Sequence, residues 1–239
     1  MNYPRVVAHR CGGALAPENT LAGLRIAARL GCRGVEFDAM LSADGVPVLI
    51  HDETLERTTG SRGRVAARSF AELRELDAGS RHAAVFAGEP IPSLKEALRV
   101  CAALGLWANV EIKPSDGRDE ETGRIVGAML ADRWDGLGVV SSFSLPALAA
   151  ARSAAPQFDF ALLSAAIPAD WRGRLAAAGC KAWHCRRDAD PAAIADLAAA
   201  GVPVACYTVN SRGEAGRLFA AGAAAVFTDR PDLWSSAEM

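Results

Sequence analysis

The chain has 239 residues, 51% of them hydrophobic and 23% charged, which excludes a disordered polymer and leaves room for a substantial core. A formal net charge of -2 gives no long-range pull toward nucleic acid or an anionic membrane, so any bound anion must be held by local groups. No stretch approaches the roughly 18 apolar residues of a membrane span.

No leader pattern precedes the first apolar run, so a cytoplasmic location and no stable membrane association are expected. Cys11, Cys32, Cys101, Cys180, Cys185 and Cys206 are scattered singly, which suggests neither a disulfide framework nor a zinc ribbon. They read as small buried hydrophobes.

The first strand signal, Val6-Val7-Ala8, ends in His9-Arg10. The glycine-containing loop Cys11 to Pro17 then leads to Asn19 and Thr20, either of which can cap a helix in which Leu21, Leu24 and Ala28 recur, with Gly31 as its terminator. Gly34 to Leu41 reads as a second strand, and the turn Ser42-Ala43-Asp44-Gly45 leads straight into Val46 to Ile50. So short a connection forces the return run to be antiparallel, which brings His51 back beside Glu36 and Asp38.

Residues 53 to 92 change character: Arg57, Arg62, Arg64, Arg68, Arg74 and Arg81 are interspersed with Gly, Ser and Thr, and only Ser69 to Leu76 has a helical pattern. This segment reads as a small insertion after the second strand, on a barrel mouth, with its arginines forming solvated surface. Beyond it, helices and strands alternate as in parallel βα units. The strand candidates are Val6–His9, Val35–Asp38, Ala108–Ile112, Val139–Phe143, Phe160–Leu163, Ala182–Cys185, Val204–Val209 and Ala225–Thr228. That count closes an α/β TIM barrel, (β/α)8, as one domain over residues 1–239. A doubly wound open sheet is the alternative, but the glycines after the first strand do not form the dinucleotide-binding fingerprint.

The polar residues cluster at strand ends, where a barrel exposes side chains at one mouth. Glu36 and Asp38 lie two apart on one strand and share a face, as do Glu111 and Lys113 on another segment. Three carboxylates meeting there would repel one another and raise each other's pKa unless a hard divalent cation joined them; oxygen ligands favour Mg²⁺ or Ca²⁺. His9 and His51 converge on the same cluster and can serve as general base and general acid, with Arg10 and Lys113 drawing in an anionic substrate such as a phosphodiester.

These residues stand in Ala8-His9-Arg10, Ala16-Pro17-Glu18-Asn19-Thr20-Leu21, Val35-Glu36-Phe37-Asp38, Asp44-Gly45-Val46-Pro47-Val48 with His51-Asp52, Leu55-Glu56-Arg57-Thr58-Thr59, Val110-Glu111-Ile112-Lys113-Pro114, Tyr207-Thr208-Val209-Asn210 and Thr228-Asp229-Arg230-Pro231. In this order the segments resemble the glycerophosphodiester phosphodiesterases, and most of all the compact cytoplasmic bacterial members. The resemblance implies a TIM barrel that hydrolyses a small-molecule glycerophosphodiester to sn-glycerol 3-phosphate and an alcohol. It also implies His9 and His51 as the acid/base pair, Glu36, Asp38 and Glu111 as metal ligands, and Arg10 and Lys113 as phosphate contacts.

The chain departs from the family pattern at Cys11, where glycine usually follows His-Arg; either Cys11 is strained or the register shifts onto Gly12. Asp52 can orient His51 or act as a turn residue. His184 reads as structural, with substrate contact as its alternative, and Trp183 and Tyr207 read as barrel packing, with lining of a glycerol pocket as theirs. A lipid substrate would need an apolar surface at the mouth, and the insertion is polar apart from Val85-Phe86, which disfavours one. A non-catalytic binding barrel would be marked by a lost histidine or ligand, and none is lost.

Overall fold

The computed structural model describes residues 2–115, 117–234 and 238. In chain order the elements are β1 (Val6–Ala8), α1 (Leu21–Arg29), β2 (Gly34–Leu41), β3 (Pro47–Leu49), α2 (Glu56–Thr59), α3 (Phe70–Arg74), α4 (Leu94–Leu104), β4 (Trp107–Ile112), α5 (Asp119–Arg133), β5 (Gly138–Ser142), α6 (Leu145–Ala154), β6 (Phe160–Ser164), α7 (Trp171–Ala178), β7 (Ala182–Arg186), α8 (Pro191–Ala199), β8 (Val204–Tyr207), α9 (Arg212–Ala220) and β9 (Ala225–Thr228). The strands pair in the order β1-β9-β8-β7-β6-β5-β4-β2, and β1 also pairs with β2, which closes a parallel TIM barrel. β3 lies outside this ring, antiparallel on β2 with Ala39 opposite Leu49, as the short turn requires.

Side-chain alternation divides the barrel interior from its outer face. Val7, Trp107, Val139, Ala161, Ala182, Ala205, Ala225 and Phe227 fill the interior, and the many alanines leave room for the large Trp107. The outward residues of the strands meet the helices in the main core, which includes Leu24, Val35, Phe37, Leu98, Val110 and Trp183. Local signals fix the helix ends. Thr20 caps α1 by accepting from Gly23 N at 3.1 Å, and Ser93 and Glu96 form a reciprocal cap on α4, each cap contributing about 1 kcal/mol.

The polar segment after β3 has its own small apolar cluster, in which Leu55, Val65, Leu73, Ala78 and Ile91 pack on Met40, Val48 and Ile50. The helical pattern expected over Ser69 to Leu76 narrows to α3, opened by a Ser69–Glu72 capping box. Its arginines are not all solvated surface. Arg64 pairs with Glu53 and Arg74 with Glu96 at the exterior, but Arg57 reaches Glu18 and Asp52 at the mouth.

Candidate active site

Parallel closure sends the C-terminal ends of all eight barrel strands to one rim. The β2–β4 register sets Glu36 opposite Asn109 and Asp38 opposite Glu111, so the three acids occupy adjacent levels of one wall. Ile50 N donates to the Asp38 carbonyl at 3.2 Å, which fixes the return strand and delivers His51 to the same rim. His9, Arg10, Glu36, Asp38, His51, Glu111 and Lys113 all line a single pocket of about 320 Å³, together with Asn109, Phe143, Leu163, His184, Tyr207, Thr208 and Phe227. Every candidate site residue read from the sequence is in this pocket.

Glu36, Asp38 and Glu111 each offer a carboxylate oxygen, and these oxygens lie within 4.8 Å of one another. Burial, then the Asp38 charge, raises the Glu36 carboxyl to about 7, and burial with its acidic neighbours raises Glu111 as well. The cluster is therefore costly to ionise alone. Glu36 Oε2 accepts from Arg10 N at 2.8 Å and Asp38 Oδ2 from Asn19 Nδ2 at 2.8 Å, whereas Glu36 Oε1 is buried with no hydrogen-bond partner among the described residues. An all-oxygen set with an orphaned, buried oxygen fits a hard divalent cation.

Two imidazoles flank the cluster, each anchored through Nδ1. His9 Nδ1 lies 2.7 Å from Asp229 Oδ1, and His51 Nδ1 lies 2.6 Å from Asp52 Oδ1. The second nitrogens turn inward: His9 Nε2 is 3.9 Å from Glu36, and His51 Nε2 is 2.6 Å from Lys113 Nζ. An ammonium donates only, so His51 Nε2 accepts and its proton sits on Nδ1. Burial opposes a charge on either ring. At His9 the Asp229 hydrogen bond and the Glu36 charge outweigh burial and raise the pKa; at His51 burial, reinforced by Arg10 and Lys113, outweighs Asp38 and Asp52 and lowers it.

Arg10 Nη1 donates to Glu18 Oε1 at 3.1 Å, and its buried Nε has no acceptor among the described residues, which leaves a donor for an anionic oxygen. Arg57 spans the rim: Nε donates to Asp52 Oδ2 at 2.6 Å, and Nη1 and Nη2 donate to the two oxygens of Glu18 at 2.5 and 2.8 Å. Cys11 takes φ +76° and Gly12 takes φ -116°, so no register shift occurs and the cysteine itself adopts the left-handed conformation.

His184 is fully buried, with Nε2 2.9 Å from Tyr3 Oη, and burial pushes it down to about 3, so it stays neutral on the pocket floor. Trp183 faces the helix layer and donates from Nε1 to Ser164 Oγ at 2.9 Å. Tyr207 lines the pocket and donates to the Ser164 carbonyl at 3.0 Å.

The residue reading of the sequence gave no role to Asp229, Glu18 or Asn109, and read Asn19 only as a candidate helix cap. Asp229 could have been found from topology, because it follows β9, the barrel neighbour of β1 and His9. Gly13 holds these two loops together: a Cβ there would come within 2.4 Å of the Asp229 carbonyl oxygen. Asn19, one of two candidate caps, instead binds Asp38 through both its amide nitrogen and its amide oxygen.

Residues 9–233 match the glycerophosphoryl diester phosphodiesterase family model. A curated glycerophosphodiester phosphodiesterase from Caldanaerobacter subterraneus is 30% identical over 95% of this chain and 94% of its own. Among solved structures, an Oleispira antarctica phosphodiesterase in complex with the product sn-glycerol-3-phosphate superposes with a TM-score of 0.93 at 39% identity, covering 96% of this chain and 94% of that one. A Silicibacter pomeroyi structure described as a putative glycerophosphoryl diester phosphodiesterase gives a TM-score of 0.82 at 27% identity, covering 97% and 92% of the two chains. With its barrel closed and its two histidines set around an acidic cluster, the chain belongs to the glycerophosphoryl diester phosphodiesterase family.

Proposed function

We propose that residues 1–239 act as one catalytic unit that hydrolyses glycerophosphodiesters to sn-glycerol 3-phosphate and an alcohol, with a divalent cation, Mg²⁺ or Ca²⁺, held by Glu36, Asp38 and Glu111. The observation that carries this reading is the pair of Nδ1-anchored imidazoles beside one three-carboxylate cluster in which Glu36 and Asp38 are buried and Glu111 is partly exposed. The sn-glycerol-3-phosphate complex of the Oleispira relative supports the product assignment.

A cation held by Glu36, Asp38 and Glu111 would offset their three charges and supply Lewis-acid stabilisation of a phosphate oxygen. Arg10, whose Nε is 3.9 Å from Asp38 Oδ2 and donates no hydrogen bond among the described residues, and Lys113, at the rim, bind phosphate oxygens and stabilise the charge that develops on them. Of His9 and His51, one takes a proton from water and the other gives one to the departing alcohol. Asp229 and Asp52 hold both rings with Nε2 toward the reacting atoms. A cytoplasmic site of action is our reading of the cysteines, which are scattered singly along the chain and buried.

The test is release of glycerol 3-phosphate from glycerophosphocholine by the wild type with Mg²⁺, with Ca²⁺ and with chelator, beside His9→Ala and His51→Ala. Metal-dependent release that falls at least about a hundredfold in each variant is expected. Release by stripped protein in chelator would sink the metal assignment. No release with either ion would favour a barrel that binds phosphoesters without cleaving them.

A further inference from the structure

The catalytic pocket borders two further cavities of opposite chemistry. One is a polar cleft of about 450 Å³ that shares His9, Arg10 and Thr208 with the pocket and adds Glu18, His82 and Asp229. The other is an apolar groove of about 650 Å³, walled by α6, β6 and α7, that shares Phe143 and Leu163 with the pocket and runs past Leu145, Ala149, Leu162 and Ala177.

Phe143 and Leu145 are 53% and 54% exposed. A lone exposed apolar side chain needs no explanation, but two on one rim that lead into an apolar groove do. Their placement is fixed: Ser144 between them caps α6 by accepting from Ala147 N at 3.1 Å and donates to Asp119 at 2.5 Å, and the Phe143 ring stands edge-on to Tyr207 at 6.1 Å. Arg174, one of the two charged residues of the groove, is paired with Asp170 at 3.0 Å.

We propose that this groove binds an alkyl chain carried by the leaving alcohol of the diester, so that the enzyme takes glycerophosphodiesters whose alcohol arm is apolar. This rests on the phosphodiesterase reading above. Adjacency selects the occupant: Phe143 and Leu163 line both the catalytic pocket and the groove, so a chain that reaches over them from the reacting phosphate lies in the groove. Polarity selects the arm. The glycerol hydroxyls need hydrogen-bond partners, and the Glu18 and Asp229 carboxylates of the cleft retain acceptor capacity beyond the bonds they already make. With glycerol in the cleft, the other ester oxygen points its substituent toward Phe143. On hydrolysis the water oxygen bonds to phosphorus, the bond from phosphorus to the alkanol oxygen breaks, and the alkanol leaves with a proton from an imidazole. The insertion had argued against apolar substrates; the apolar surface lies instead at the start of α6.

The test compares three monomeric substrates: glycerophosphocholine, sn-glycero-3-phosphooctanol, and 1-octanoyl-sn-glycero-3-phosphocholine, which carries the chain on glycerol. Wild type is compared with Ala149→Glu and Ala177→Glu, exposed helix positions on the groove wall that do not touch the catalytic pocket. The expected result is a kcat/KM for the octanol ester at least about tenfold above that for glycerophosphocholine, expressed mainly in KM and abolished by either variant with glycerophosphocholine turnover unchanged. Equal kcat/KM for both, or a preference that survives both variants, would overturn the proposal. A preference for the octanoyl-glycerol substrate instead would overturn the assignment of the arms. Absence of glycerophosphocholine turnover in wild type would strike the underlying reading rather than the groove.

Discussion

The two histidine walls of the pocket are built alike and held differently. Each imidazole gives its Nδ1 to a carboxylate, yet His9 is raised and His51 lowered. At His9, Asp229 receives only the neutral amide of Asn210 on its second oxygen at 2.9 Å, and Glu36 faces the inner nitrogen. At His51, Asp52 shares its charge with Arg57, and Lys113 faces the inner nitrogen. At His9 the anchoring bond and the Glu36 charge together outweigh burial, whereas at His51 burial with the Arg10 and Lys113 charges outweighs the like bond, so the same anchor leaves the two rings with opposite preferences for a proton.

The sharpest way to break this comparison is to neutralise the two anchors in turn. Asp229→Asn removes the main support for a protonated His9, and a loss in kcat of about a hundredfold is expected. Asp52→Asn removes a charge that Arg57 already offsets, and the expected loss is nearer tenfold. Steady-state kinetics of the metal-loaded enzymes at one pH decides it. Equal losses, or a larger one for Asp52→Asn, would show that the fields beyond the carboxylates do not distinguish the walls.

A smaller effect tests the ion pairs at the rim that join the His51 wall to Arg10. Arg57 ties Asp52 to Glu18, and Glu18 in turn accepts from Arg10, so Arg57→Ala loosens both His51 and a phosphate donor. Its expected cost is a several-fold fall in kcat/KM, up to about tenfold, partly restored in Arg57→Lys, with thermal stability nearly unchanged because the side chain is 45% exposed. Kinetics indistinguishable from wild type would place Arg57 among ordinary surface ion pairs, the role its segment suggests from sequence.

How much of this was legible in the sequence follows from the range of the interactions. The strands, their parallel order, the antiparallel return of β3 and the acid pair on β2 follow from periodicity and one short turn. These are local signals. Asp229 beside His9 joins residues 220 positions apart, and Arg57 on Glu18 joins residues 39 apart. Such pairs exist only because the barrel closes, and no spacing rule announces them. Phe143 was hidden for a different reason: it reads as the last residue of the strand candidate Val139–Phe143, whereas β5 ends at Ser142 and Ser144 already caps α6, with Phe143 exposed between them.

The smallest effect lies on the His9 wall, where the backbone is contorted: Arg10, Cys11 and Asn19 all have positive φ, at +49°, +76° and +56°. The contortion has a use, since it lets Arg10 N reach the Glu36 carboxylate at 2.8 Å and Cys11 N the Glu36 carbonyl at 2.7 Å. Cys11→Gly would relieve the left-handed strain of a side-chain-bearing residue, about 1 kcal/mol, while losing the burial of a fully enclosed thiol and adding freedom to the unfolded chain, each of similar size. These terms oppose, so thermal unfolding is expected to change by no more than about 1 kcal/mol and kcat to hold. A loss beyond about 2 kcal/mol would mean that contact with the α1 start, where a Cβ on Gly23 would meet Cys11 at 2.9 Å, anchors the loop more than the strain opposes it. A gain would mean that the strain dominates, and that this chain keeps its cysteine at a cost in stability.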